Sequence, residues 1–244
     1  MQSPKLVYQY KLQQQLIEPD SAQAFAVDRL DQLFEMIKKP KSIFKSSKTI
    51  QGLYIWGSVG VGKTFLMDLF YSCLPEQNKE RLHYNRFMAR VHSELQALTG
   101  QANPLQLVGE KFSEEFQVLC LDELYITDIG DGMIIYNLFK TLFEKGVVIL
   151  ITSNFPIDKL YKDELQPKLF EPAIELIKNN TRYLHIDGEI DYRQRQTRAR
   201  QTYFVAQDDS GPELFQRLSA TGPVEKPLDV CGRPLASKGA ANQV

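Results

Sequence analysis

The stretch GLYIWGSVGVGKTFLMDLF, residues 52–70, decides the fold. Residues 52–56 are rich in β-formers and run into a glycine-rich turn. Beyond it Phe65, Leu66, Leu69 and Phe70 form one apolar stripe at helical spacing. The turn reads GSVGVGKT, and Gly57, Ser58, Val59, Gly60, Val61, Gly62, Lys63 and Thr64 satisfy G-x-x-x-x-G-K-[ST]. Glycines let the backbone approach an anion with its N–H groups turned inward, and a helix beginning near Gly62 adds its positive dipole end. The pattern assigns Lys63 to the β and γ phosphates of a nucleotide and the Thr64 hydroxyl to the Mg²⁺ that bridges them. A glycine-rich turn can merely join a strand to a helix, and a match of this length arises by chance. The strand before it and the amphipathic helix after it are the context that favours phosphate binding.

Working outward, four more segments rich in β-formers follow the strand at 53–56, at 82–85, 118–122, 147–153 and 182–186. Helical stripes separate them: Phe87, Val91, Leu95 and Leu98 make one, and Ile135, Leu138, Phe139 and Leu142 another. Near-continuous apolar strands alternating with helices predict an α/β fold with a five-stranded parallel sheet covered on both faces. Before the first strand, Asp20 or Ser21 caps a helix that carries Val27, Leu30, Phe34 and Ile37 on one face, and Pro40 follows its end. Residues 41–51 then read as a polar loop. The expected organisation is a helical lead-in over 1–51, a nucleotide-binding core over 52–193, and a tail over 194–244. That tail opens on the basic run Arg193, Arg195, Arg198 and Arg200. It turns glycine- and proline-rich from Ser210, with one short helix at Leu214, Phe215 and Leu218, and its last residues have too little apolar content to order themselves.

The core carries two further candidates. VLCLDE ends an apolar strand in Asp122 and Glu123, where a Mg²⁺ carboxylate is required at the end of a neighbouring strand. Asp122 is placed to hold the metal and Glu123 to polarise a water for attack on the γ-phosphate. Acids ending a strand are common and often idle, so the phosphate loop supplies the weight here. VVILITSN ends in Thr152, Ser153 and Asn154. If this strand lies between the other two, Asn154 stands beside the γ-phosphate and orients the attacking water.

Charge and cysteine content exclude several classes. The chain has 244 residues, with 29 basic residues against 30 acidic ones, so no overall field draws it to nucleic acid or to an anionic membrane. Cys73, Cys120 and Cys231 are odd in number and far apart, which indicates neither a disulfide framework nor a zinc site and fits a reducing compartment. No secretory or transit pattern opens the chain and no apolar run approaches membrane-span length, so the expected location is the cytoplasm. His83, His92 and His185 are scattered, and His83 on its strand is expected in the core.

Strand, phosphate loop, acidic pair and polar strand end together resemble the AAA+ ATPases. Within them the chain looks like the ZapE family of bacterial cell-division ATPases and its mitochondrial relatives. The resemblance covers about residues 7–193 and is carried by GLYIWGSVGVGKTFLMDLFY, LHYNRFMARVHSELQAL, VLCLDELYITDIGDGMII, TSNFPIDKLYKDELQPKLFEPAIELI and DYR. It implies Mg²⁺-dependent ATP hydrolysis coupled to remodelling of a partner, the tubulin-like division protein FtsZ in the bacterial branch, at the inner face of the membrane. It also implies ring-like self-assembly. By matching motif, the loop from Gly57 to Thr64 binds ATP, Asp122 holds Mg²⁺, Glu123 activates water and Asn154 senses the γ-phosphate.

Two departures qualify the resemblance. Where the family pattern reads Leu-Gln-Arg before a Phe-x-Pro turn, this chain reads Leu165, Gln166, Pro167, Lys168. If the arginine is a finger offered to a neighbouring subunit, its loss reduces hydrolysis, and Lys168 lacks the planar fork of donors. The family's later arginine-rich block, which would complete the nucleotide lid and much of the subunit interface, is also absent from this sequence. Two readings therefore stand: an ATP-hydrolysing remodeller, and an ATP-binding interaction module with little turnover. A GTPase is weaker, because no Asn-Lys-x-Asp motif occurs.

Overall fold

The computed structural model describes residues 2–39, 50–161, 167–187, 228–230 and 233–235. The chain divides into two compact units, 1–192 and 193–244. In the first, β1 (Gly52–Trp56), β2 (Lys79–His83), β3 (Val118–Asp122), β4 (Val148–Ser153) and β5 (Thr181–His185) form one sheet in the order β2-β3-β4-β1-β5. Every adjacent pair is parallel. The fold is thus α/β with a five-stranded parallel sheet, as its apolar strands predict.

Alternation along each strand builds two cores, because successive side chains leave opposite faces of a pleated strand. Leu53, Ile55, Cys120, Leu150 and Leu184 pack on one face. There α1 (Pro4–Gln13), α2 (Ser21–Lys38) and α3 (Lys63–Cys73) supply Tyr8, Leu30, Phe34, Leu66 and Phe70. Tyr54, Leu119, Leu121, Ile149 and Ile151 pack on the other face. Facing them are α4 (Tyr84–Ala97), α5 (Pro104–Glu115), α6 (Ile129–Glu144) and α7 (Pro167–Asn180), with Phe87, Phe112, Phe139 and Ile177. Fully burying one such side chain is worth about 1.5–3 kcal/mol, so many together outweigh the chain entropy of ordering these layers.

Helix starts follow local chemistry. The Asp20 side chain accepts from the Gln23 amide and caps α2, as the sequence predicts. Asp128 accepts from the amides of Gly130 and Asp131 and caps α6 in the same way.

Several expectations need correction. The second strand is Lys79–His83 rather than 82–85, and Tyr84 and Asn85 already belong to α4. Its sequence, KERLH, hides the strand because β2 is a sheet edge with half-buried residues whose charges are paired: Lys79 with Glu76, Arg90 with Glu80, and Arg81 with Asp68 and Asp122. His83 is exposed, not core, since it ends that edge strand and its ring caps α4, with Nδ1 accepting from the Asn85 amide at 3.3 Å. Helices α1 and α5 were not anticipated: α1 buries only Pro4 and Tyr8, and α5 only Val108, Gly109 and Phe112. Phe170 and Pro172 lie inside α7 rather than in a turn.

In the second unit, the tail expected to lack order carries an antiparallel pair, β6 (Leu228–Val230) and β7 (Arg233–Leu235), in which Leu228 faces Leu235. The loop residues 41–49, the basic run 193–200, the short helix at Leu214, and Cys231 lie outside the described residues.

Candidate functional site

The carboxyl ends of β1, β3 and β4 meet at one edge of the sheet, and β4 lies between the other two. In an open parallel sheet this is where ligands bind. The loop leaving β1 is tied there by its own backbone, since the Gly57 amide donates to the Ser153 carbonyl at 3.3 Å. A Cβ on Gly57 would stand 2.1 Å from the Ile186 carbonyl oxygen, so only glycine lets the chain pass the end of β5. Gly62 has φ +93° and leads into α3 with no side-chain cap, leaving the first-turn amides to the loop itself. A Cβ there would also meet Gln23 Nε2 at 2.6 Å. Gln23, buried on α2, donates from Nε2 to the Val61 carbonyl at 3.3 Å and braces the loop from behind.

Lys63 opens α3 and is 8% exposed. Its Nζ donates to the Gly57 carbonyl at 2.9 Å and the Ser58 carbonyl at 2.7 Å, so the ammonium sits inside the curve of the loop. Ser58, Val59 and Thr64 are exposed around it.

The acidic pair differs in environment. Asp122 is buried at the end of β3, with Oδ1 accepting a short hydrogen bond from Thr152 Oγ1 and Oδ2 lying 3.3 Å from Arg81 Nη2. Arg81 is also paired with Asp68 on α3, which offsets its charge. Glu123 is exposed and stands at φ +56°, a left-handed conformation uncommon outside glycine. Its amide donates to Thr152 Oγ1 at 3.1 Å, and its Oε2 lies 3.0 Å from His83 Nε2.

Asn154 follows β4 and is exposed, but its neighbours are clamped. Ser153 Oγ donates to the Leu124 carbonyl at 2.7 Å, the Phe155 amide donates to Ser153 Oγ at 3.2 Å, and the Tyr54 hydroxyl donates to the Phe155 carbonyl at 2.8 Å. Burial pushes the Tyr54 phenol far above its ordinary value, so it remains a donor at any working pH. Glu123 and Asn154 line one cavity of about 370 Å³ together with His83, Tyr84, Asn85 and Phe155.

The structure thus brings Glu123 and Asn154 to one cavity and ties Asp122 and Glu123 to β4 through Thr152. Sequence reasoning passed over Arg81, His83 and Thr152 as members of the site. For Thr152 a signal existed: a polar residue closing an apolar strand has to find a buried partner. For Arg81 there was none, because an arginine on an edge strand reads as surface.

The donor set suits Mg²⁺. Among the described residues no cluster of three or more His, Cys, Asp or Glu forms a self-sufficient metal site. Of the residues expected to hold Mg²⁺, Asp122 is a buried carboxylate and Thr64 an exposed hydroxyl, both oxygen donors of the kind that hard cation takes.

Sheet order, phosphate loop and acidic strand end define an AAA+ type P-loop NTPase fold. The fold is shared with the solved structure of DnaI at a TM-score of 0.52 and 20% identity, covering 72% of this chain and 87% of that one. The model of the AFG1-like ATPase family matches residues 2–244. Over 250 aligned residues the chain is 39% identical to the cell division protein ZapE of Escherichia coli K12, covering 93% of this chain and 67% of that protein. It is 38% identical over 186 residues to lactation elevated protein 1 homolog B of Danio rerio, covering 69% of this chain and 37% of that protein. The chain belongs to the AFG1-like ATPase family. Among its described residues no helix is long and apolar enough to cross a membrane.

Proposed function

We propose that this chain hydrolyses ATP with Mg²⁺ at the loop of residues 57–64 and uses the cycle to remodel a partner in the cell-division machinery. The observation that carries the reading is the Lys63 ammonium held between the Gly57 and Ser58 carbonyls within a glycine loop at the start of α3. Phosphate oxygens are stronger acceptors for that ammonium than neutral carbonyls, so an entering triphosphate takes over its hydrogen bonds. Backbone amides from Gly60 to Thr64 receive the same phosphates without reorganisation. Asp122 and Thr64 would hold Mg²⁺, which when bound supplies charge neutralisation for the phosphoryl group being transferred. Glu123 accepts the proton of the attacking water, and Asn154 in the same cavity orients that water by hydrogen bonding.

The partner class rests on family membership together with the E. coli relative, a cell division protein. An FtsZ-like filament protein at the inner face of the membrane is the partner proposed, with a ring of this chain acting on it. The second reading, ATP binding with little turnover, is favoured by one observation: the family's arginine position is occupied by Pro167, the first residue of α7.

Lys63→Ala separates nucleotide binding from any other use of the loop. Loss of ATP binding by calorimetry, in a variant that keeps its melting temperature, is the expected outcome. Parental affinity in that variant would end the phosphate-loop reading.

A further inference from the structure

We infer that Thr152 is the positioning residue that sets both acids of the site from the neighbouring strand. It holds the Asp122 carboxylate for the metal and the Glu123 backbone for the base. This rests on the proposed Mg²⁺-ATP reading and goes beyond it in assigning the work to a residue outside the nucleotide and metal ligands that reading names.

Three observations carry the inference. First, register places the two side chains together: Leu121 lies opposite Ile151, so Asp122 and Thr152 are the next pair along parallel strands. Leu121 and Ile151 belong to the core under α4–α7, so alternation turns Asp122 and Thr152 to the opposite face, the face of α3 and its phosphate loop.

Second, the polarity of the hydrogen bonds is forced. A hydroxyl has one proton, and the Glu123 amide can only donate, so Thr152 Oγ1 accepts there and directs its own proton to Asp122 Oδ1. With Arg81 Nη2 at Oδ2, each carboxylate oxygen has a donor, so the carboxylate is held in one orientation with a lone pair on each oxygen left for a cation. Neither contact survives without the hydroxyl.

Third, Thr152 is 0% exposed and Glu123 is held at φ +56°. A buried hydroxyl with both of its roles filled is rigid, and left-handed backbone at a glutamate persists only where its surroundings impose it. The hydrogen bond from the Glu123 amide to Thr152 Oγ1 is one of the contacts that hold it, beside the backbone bond from the Leu124 amide to the Thr152 carbonyl at 2.8 Å.

The test is a pair of variants read by metal dependence. Thr152→Val keeps the shape and removes the hydroxyl, whereas Thr152→Ser keeps the hydroxyl and removes the methyl. Binding of ATP is titrated by calorimetry in EDTA and then at rising Mg²⁺, with melting curves to check folding. In Thr152→Val the affinity in EDTA is expected to stay parental, while the Mg²⁺ needed for half its effect rises about 10–100-fold, the range typical of removing a partner of a metal ligand. In steady-state hydrolysis kcat falls while KM for ATP without limiting Mg²⁺ changes little, because the Glu123 amide has lost its hydrogen bond to the hydroxyl. Thr152→Ser restores both readouts. If Thr152→Val does not fold, Thr152→Ala removes the same hydroxyl and is read in the same way. Parental Mg²⁺ dependence in a folded hydroxyl-free variant overturns the inference and leaves the ATPase reading intact. A parent chain whose ATP binding ignores Mg²⁺ overturns both.

Discussion

The conformation of Gly62 shows what one residue contributes to this site. Its φ of +93° places left-handed backbone at the N-cap of α3, and a methyl group there would meet Gln23 Nε2 at 2.6 Å. Gly62→Ala therefore forces a side chain into left-handed backbone, at a cost of about 1–3 kcal/mol, beside a buried amide that must move. The expected result is a lower denaturant midpoint and weaker ATP binding together, and an unchanged midpoint would contradict the strain argument. This position was readable beforehand, because the motif demands glycine there. The role of His83 was not readable, and for Thr152 the sequence signals only that a polar residue closing an apolar strand needs a buried partner, not which carboxylate it meets. Those contacts depend on strand order, which spacing along the chain does not encode. Cys120 on β3 is fully buried, and burial pushes its thiol up to about 12.

At the scale of elements, what could be read tracks burial. β1, β3 and β4 were read to within a residue because their runs are buried almost throughout, β5 because its β-formers mark it although three of its residues are exposed, and α2 because Asp20 and its apolar stripe mark both its start and its face. β2 slipped by three residues because an edge strand satisfies its polar side chains in ion pairs rather than in the core. α7 bears on the rate of the site. Pro167 is its first residue, where the missing N–H costs nothing and the fixed φ suits a helix start. Replacing it with arginine restores an N–H that needs no intrahelical partner and supplies the planar fork the family resemblance expects. If the position serves a neighbouring subunit, Pro167→Arg raises ATP hydrolysis, the gain grows with protein concentration, and Pro167→Ala shows none of it. A finger of this kind is worth about 10³–10⁵ in rate, so even partial occupancy is measurable. Equal rates for the parent and both variants at every concentration would remove Pro167 from the account.

For the whole molecule, the sheet gives each part its place. The phosphate loop leaves β1, the acidic pair closes β3, and β4 between them carries Thr152 and leads into Asn154, so one strand touches both halves of the proposed chemistry. Membership of the AFG1-like ATPase family agrees with that arrangement. The central claim is that this arrangement turns ATP over rather than only holding it, and Glu123 is the residue on which the two readings part. The most direct measurement is phosphate release from Mg²⁺-ATP by the parent chain and by Glu123→Gln, beside calorimetric ATP binding for both. The amide keeps the size of the side chain and its contact with His83 but cannot accept the water's proton. The account predicts equal ATP affinity and a rate about 10²–10⁴-fold lower in the variant, the range for losing a general base. Equal phosphate release by the two proteins, or none above background from the parent, would contradict it.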